Sequence, residues 1–209
     1  MRHAFLEQRE KYKAQVMRQY GVTEQMYDSI NRLMAPLVTP ISARKGEVLQ
    51  RSGEVAQSLH WIYSGVARAG FVTEGGTEVT LHFWTEGETV ASHEDLLRAR
   101  DGLPARQFVV AETALHGFRM DWADVGRMFE LHEVVRAYYV KVSEASILRQ
   151  GRSIYNSSAT SAQARLEAFR TEYPGLEARV SQKVIASFLG ITPQYMSQLL
   201  RHDALQKAA

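Results

Sequence analysis

Apolar positions recur along this chain at two different periods, and the changes of period divide it. From about Glu7 to Leu37, residues Val16, Tyr20, Met26, Tyr27, Ile30, Leu33 and Met34 recur at three- and four-residue steps, the spacing of an amphipathic helix. Gly21 splits this stretch in two, Thr23 stands where a cap of the second helix is needed, and Pro36 and Pro40 end it. From Ile41 to Met120 short apolar runs alternate with turn residues such as Gly46-Glu47, Ser52-Gly53-Glu54, Ser64-Gly65 and Glu86-Gly87-Glu88. Strands are predicted at Val48–Gln50, Leu59–Tyr63, Ala67–Thr73, Val79–Trp84, Gln107–Glu112 and Ala114–Met120, with Gly75-Gly76 as a hairpin turn. Many short strands at near-regular spacing imply an antiparallel β-roll or sandwich.

The helical period returns at Asp121, first in a short helix and then in a long one from roughly His132 to Asn156. Val135, Tyr138, Val142, Ala145, Leu148, Arg152 and Tyr155 lie along one stripe of it. At 1.5 Å per residue such a helix is about 37 Å long, more than a small domain needs, so its stripe is expected to meet its twin in a homodimer. Packing against the chain's own β-roll is the alternative use of the same stripe. Ser157-Ser158-Ala159-Thr160 reads as a hinge, Ser161 to Glu172 as another amphipathic helix, and Tyr173-Pro174-Gly175 as its stop. The expected fold class is α+β. A β-roll with flanking helices occupies 1–130, a dimerisation helix 131–156 and a helical domain 157–209.

The C-terminal stretch VSQKVIASFLGITPQYMSQLLR, Val180 to Arg201, carries the most chemistry. Ser181 caps a first helix whose apolar face is Val184, Ile185, Phe188 and Leu189. Gly190 permits a sharp turn, and Thr192-Pro193 starts a second helix with a cap and a proline at the first helical position. Met196, Leu199 and Leu200 point inward, leaving Gln194, Tyr195, Ser197, Gln198 and Arg201 outward. Two helices so joined form a helix-turn-helix, whose second helix enters the major groove of double-stranded DNA. Gln, Ser and Arg can read base edges, while Arg201 and Lys183 suit phosphates. Any small helical hairpin also has an apolar seam and a polar outside; the Gly-Ile-Thr-Pro turn and the uncharged outer face favour DNA.

Composition narrows the chemistry. The 209 residues are 45% hydrophobic and 23% charged, ordinary for a soluble globular protein. There is no cysteine, which removes disulfides, thiolate metal sites and cysteine nucleophiles. No apolar run approaches 18 residues and the N-terminus is charged throughout, so neither a membrane span nor a signal peptide is expected and a cytoplasmic location is. Net charge is only +2, weak support for a nucleic-acid partner.

This order of elements, with KGEVLQRSGEVAQSLHWIYSGVARAGF in the roll and RVSQKVIASFLGITPQYMSQLLR at the C-terminus, resembles the Crp–Fnr family of bacterial transcription regulators over nearly the whole chain. The resemblance implies a homodimer with an effector-sensing β-roll, with Gln194, Tyr195 and Gln198 at the positions that contact bases. Cyclic-AMP-binding members carry a Gly-Glu pair followed by an Arg and a hydroxyl residue that hold the cyclic phosphate. Gly87-Glu88 matches the pair and Arg106 the arginine, but the segment between is longer, and Gln107 stands where the hydroxyl is wanted. A cyclic nucleotide is therefore not the expected cofactor; another small-molecule effector, or none, is. The family's β-hairpin wing after the recognition helix has no room here, since eight residues follow Arg201. A short, wingless form with a weaker hold on DNA is expected.

Other chemistry finds little support. His60, His82, His93 and His116 lie in or beside the roll, but the His-x-His of a cupin metal site is absent, so no metal is expected. No Gly-x-Ser-x-Gly elbow or phosphate-binding loop appears, and no enzyme activity is expected. His93-Glu94-Asp95 reads as a solvated acidic turn. Trp61, Tyr63, Phe71, Phe83 and Trp84 read as roll core. A ligand- or partner-binding protein of the same fold, with weak or lost DNA binding, is the alternative function.

Overall fold

The structure is a computed structural model that describes residues 2–208, with side chains described at all of these but Ser157, Ala159 and 204–208. Three helices open the chain: α1 (Arg2–Lys11), α2 (Lys13–Tyr20) and α3 (Glu24–Met34). Gly21 closes α2 in the left-handed conformation, and the Thr23 hydroxyl accepts the Met26 amide to cap α3. The break between α1 and α2 at Tyr12 has no glycine or proline to announce it. The Tyr12 hydroxyl instead donates to the Tyr63 carbonyl at 2.8 Å.

Eight strands follow: β1 (Thr39–Ala43), β2 (Val48–Gln50), β3 (Ser58–Ser64), β4 (Ala67–Val72), β5 (Glu78–Trp84), β6 (Thr89–Val90), β7 (Phe108–Ala111) and β8 (Leu115–Asp121). They form two four-stranded sheets, β1-β8-β3-β6 and β2-β7-β4-β5. All six strands expected from the alternation are present within one or two residues. β1 and β6 are additional: Pro40 masked the first, and two residues are too few for a period. Helix α4 (His93–Arg100) is also additional, and it corrects the reading of His93-Glu94-Asp95 as a solvated turn. Those residues are its first turn, capped by Ser92, and Asp95 is fully buried.

Alternation along β3 and β8 sorts two cores. Ile62 and Leu115 face between the sheets with Ala43, Ala67, Ala69, Trp84, Val90, Val109 and Ala111. Leu59, Trp61, Phe118 and Met120 face the other way, onto Phe5, Ile30, Met34, Leu96, Trp122 and Val135 from the surrounding helices. Among these helices are α5 (Trp122–Leu131) and the long α6 (Glu133–Ala159). Helix α6 runs three residues past the expected stop at Asn156, so the expected hinge narrows to a bend at Thr160.

The rest of the chain is α7 (Ala162–Glu172), a short 3-10 turn (Leu176–Ala178), α8 (Gln182–Leu189) and α9 (Pro193–Ala208). Two compact units result: residues up to Ala69 with Phe83–Leu148, and Gly70–His82 with Arg149 onward. Within the second unit Leu166, Phe169, Tyr173, Leu176, Ile185, Leu189 and Met196 are buried. His82 bridges Arg149, at 2.8 Å, and the Tyr173 hydroxyl, at 3.1 Å. The Ser187 hydroxyl on α8 accepts the Thr80 amide at 2.9 Å and donates to the Glu78 carbonyl at 3.1 Å.

His60 is buried in β3, directly opposite Arg119 of β8. Burial first, and the Arg119 charge second, push its imidazole pKa down to about 4. The folded state therefore holds His60 neutral, while the unfolded chain protonates it near pH 6.5. Its contribution to stability is complete above about pH 6.5 and is lost as pH falls toward 4, an expected loss of about 3 kcal/mol. Urea unfolding of wild type and His60→Leu between pH 4 and 7 measures it; the variant should lack this part of the slope.

Candidate functional site

The helical pair α8–α9 is built by local signals. The Ser181 hydroxyl accepts the Val184 amide at the start of α8. Gly190 ends α8 with φ +66°, a left-handed conformation that glycine takes without strain, and the Ile191 amide returns to the Ala186 carbonyl at 3.0 Å. Thr192 then accepts the Tyr195 amide at 3.2 Å as α9 begins at Pro193. Ile185, Ala186, Leu189 and Met196 are buried, holding α8 against α9. Leu199 and Leu200 are half-buried.

The expected reading face lies outward as one surface of α9. Gln194, Tyr195, Gln198 and Arg201 are exposed; Ser197 is half-buried and donates to the Pro193 carbonyl at 3.0 Å. Lys183 is exposed on α8. Helix α9 continues past Arg201 to Ala208, and Arg170 of α7 pins this extension by bridging Glu177 at 2.6 Å and Asp203 at 3.0 Å. The hydrogen bond to Glu177 is the main reason the Arg170 pKa rises above its ordinary value, with Asp203 adding to it.

The four residues expected at the effector site fall into two pairs with separate partners. Gly87, at φ +87°, turns the chain beside α2, where an added Cβ would lie 2.9 Å from the Tyr12 ring. Its carbonyl accepts the Trp61 indole N–H at 2.9 Å. Glu88 is buried; its carboxylate accepts the Thr85 amide at 2.7 Å and the Gln19 side-chain amide at 2.9 Å. Arg106 and Gln107 belong elsewhere. Their backbone amides donate to the two oxygens of Asp95 at 2.8 and 3.2 Å, and the Gln50 side-chain amide adds a third bond at 2.8 Å. The exposed Arg106 guanidinium pairs with Glu94 at 2.9 Å.

Asp95 is the residue that sequence reasoning missed. Consecutive backbone amides and a nearby guanidinium make an anion site, and here the chain's own carboxylate fills it. Nothing in the sequence marked Asp95 except its place three residues after Ser92, a capping spacing.

The dimer stripe divides as well. Val135 is buried among the helices and the roll, Tyr138 packs onto the same cluster, and Val142 and Ala145 pack on Val16, Tyr20, Val22 and Tyr27 of the N-terminal helices. Of the six expected seam residues only Leu148 and Tyr155 are exposed, at 64% and 66%. Three large apolar residues outside the expected stripe are exposed on α6 with them: Val140, Ile147 and Ile154.

Among the described residues no group of three His, Cys, Asp or Glu is close enough to hold a metal ion, and no helix is long and apolar enough to cross a membrane.

Residues 40–132 match the cyclic nucleotide-binding domain family. No curated protein sequence matches the chain significantly. Solved structures do. FixK2 of Bradyrhizobium japonicum superposes with a TM-score of 0.70 at 17% identity, over 81% of this chain and 86% of that one. The c-di-GMP-responsive regulator CLP of Xanthomonas campestris gives 0.67 at 15% identity, over 86% and 92%. A Crp/Fnr-family regulator of Eubacterium rectale gives 0.66 at 15%, over 89% and 85%. These likenesses establish the fold.

Replacing Asp95 by Ala takes their acceptor from the part-buried amides of Arg106 and Gln107 and leaves the Gln50 amide only the Gln107 carbonyl, with an expected cost of about 2 kcal/mol in urea unfolding. With those amide donors occupied by Asp95 in wild type, millimolar cyclic AMP should leave its melting temperature unchanged.

Proposed function

We propose that this chain, a cyclic nucleotide-binding-type domain in the fold of the Crp–Fnr regulators, is a sequence-specific DNA-binding transcription regulator that acts as a homodimer. The observation that carries the reading is the outer face of α9. Gln194, Tyr195 and Gln198 stand exposed along the first turns of a Thr192-capped helix, with Arg201 further along. As a helix-turn-helix, α8 and α9 would set this face in the major groove, where glutamine amides meet base edges. The half-buried Ser197 would join them from the edge of the face, with Arg201 and Lys183 on phosphates.

Homodimerisation is supported by the outer side of α6. Val140, Ile147 and Ile154 recur at seven-residue steps, as do Leu148 and Tyr155, and all five are exposed. A seven-residue apolar repeat is the pattern of two helices wound together. The seam of this reading thus moves from Val135, Tyr138, Val142 and Ala145, which the chain packs against itself, to the stripe on the outer side. A working dimer would hold its two α9 helices about 34 Å apart, one turn of DNA. The β-roll would sense an effector other than a cyclic nucleotide, because Asp95 already holds the amides of Arg106 and Gln107.

The alternative is a protein of this fold that binds a ligand or partner and has lost DNA. The low net charge of +2 favours it. DNA retention that falls steeply with salt supports the regulator, and no retention on DNA at low salt supports the alternative.

Two mutational tests follow from the two surfaces. Gln198→Ala with Arg201→Ala should weaken binding to a selected operator at least 100-fold in a mobility-shift assay, with the helical circular dichroism unchanged; undiminished affinity overturns the interface. Ile147→Asp should convert the dimer to a monomer by light scattering while leaving the roll folded.

A further inference from the structure

The structure buries two arginines and treats them differently. Arg68, in the roll, is ion-paired with Glu112. Arg9, on α1, is 4% exposed and has no carboxylate partner among the described residues. Its guanidinium lies between two rings, 4.8 Å from the Tyr27 centroid and 4.9 Å from that of Trp61. Its Nε donates to the Asn31 side-chain oxygen at 2.7 Å. Ring contacts use the flat faces of a guanidinium, whereas hydrogen bonds use its edge. Among the described residues the edge beyond Nε has no acceptor, and a buried cation without a counter-charge is costly.

Arg9 lines a cavity of about 90 Å³ between the outer face of the β1-β8-β3-β6 sheet and the helices that cover it. The rest of the wall is largely apolar, with Phe5, Leu59, Met120, Val125 and Val135 among its residues. The same cavity touches Tyr138 and Val142 on the inner side of α6. It lies on the opposite face of β3 and β8 from the space between the sheets, and the Arg106–Asp95 cluster takes no part in it. An engineered cavity of ~150 Å³ holds the six carbons of benzene, so this one has room for an apolar body of roughly three or four carbons.

We infer that this cavity is a binding site for a short-chain monocarboxylate, with the carboxylate on the free edge of Arg9 and the alkyl chain among the apolar walls. A bidentate carboxylate supplies the counter-charge that the fold withholds from Arg9 while giving it to Arg68. The chain length is limited by the volume, and the single charge by the single cation. The inference concerns binding alone and stands whether or not the chain grips DNA.

Calorimetric titration of the full chain with pentanoate, pentan-1-ol and acetate tests it. Pentanoate should bind saturably at one site per chain, at least tenfold more tightly than pentanol, which lacks the charge, and than acetate, which lacks the chain. Arg9→Gln should weaken pentanoate at least tenfold and abolish its advantage over pentanol. Because Arg9 is buried, that variant can fail to fold. Ala91→Leu fills the cavity from its wall, leaves Arg9 in place, and should abolish pentanoate binding without lowering the melting temperature. Equal affinity for pentanoate and pentanol overturns the inference, since Arg9 is then structural and the void merely apolar. So does the absence of saturable binding, or pentanoate binding that survives Ala91→Leu.

Discussion

The architecture depends on one helix that is apolar on two sides. The inner side of α6 places Val135 and Tyr138 on the helical core beside the roll, and Val142 and Ala145 on the N-terminal helices. The outer side leaves Val140, Ile147, Leu148, Ile154 and Tyr155 exposed. A helix with a single apolar side would be satisfied by its own chain. Two such helices present ten large apolar side chains, each contributing about 2 kcal/mol when fully buried. Association costs roughly 4–15 kcal/mol, so the pair gains only when most of the stripe is covered. In a parallel, in-register pair the seven-residue repeat of 140, 147 and 154 would meet its own copy.

That division explains a limit of pattern reading. The inner stripe advances by three or four residues and the outer one by seven, both repeats of a helix, so periodicity found an apolar helix without saying which side belonged to the fold. The decision is non-local, made by Val16, Tyr20 and Tyr27, far away in the chain. The α8–α9 pair was legible for the opposite reason. Ser181, Gly190 and Thr192-Pro193 are signals acting within three or four residues, and each forms the cap or turn it announces. The roll strands lie between: alternation located six, yet it could not report β1, interrupted by Pro40, or the two residues of β6.

Asp95 marks where sequence reasoning stopped at the effector site. Glu94 and Asp95 are adjacent and chemically alike. One is half exposed and pairs with Arg106 in solvent, and the other is fully buried under three amide donors. The difference lies in the register of α4, which turns one carboxylate outward and its neighbour inward. A carboxylate taken wholly out of water needs several hydrogen-bond donors in place of that water. Supplying them uses the backbone amides of Arg106 and Gln107, which an incoming phosphate would otherwise meet. The departure from the cyclic-AMP pattern is therefore more than a changed residue at Gln107; the amides of Arg106 and Gln107 are already taken by the chain's own Asp95 carboxylate.

These constraints converge on α6 as the element through which sensing and output would communicate. A ligand shifts an equilibrium only by the difference in its affinity for the two states. Occupants of the roll's anion site would have to displace Asp95 before any such difference could be expressed. An occupant of the Arg9 cavity would displace nothing of that kind, and Tyr138 and Val142 line that cavity. The stripe that would pair the protomers lies on the same helix, with Val140 between those two residues in sequence. In a homodimer, rotating α6 by a fraction of a turn to accommodate a ligand on the inner side would also rotate the outer stripe against that of the second copy. In a regulator built on this helix, the short mechanical route from ligand to dimer geometry runs through the helical core and bypasses the interior of the roll.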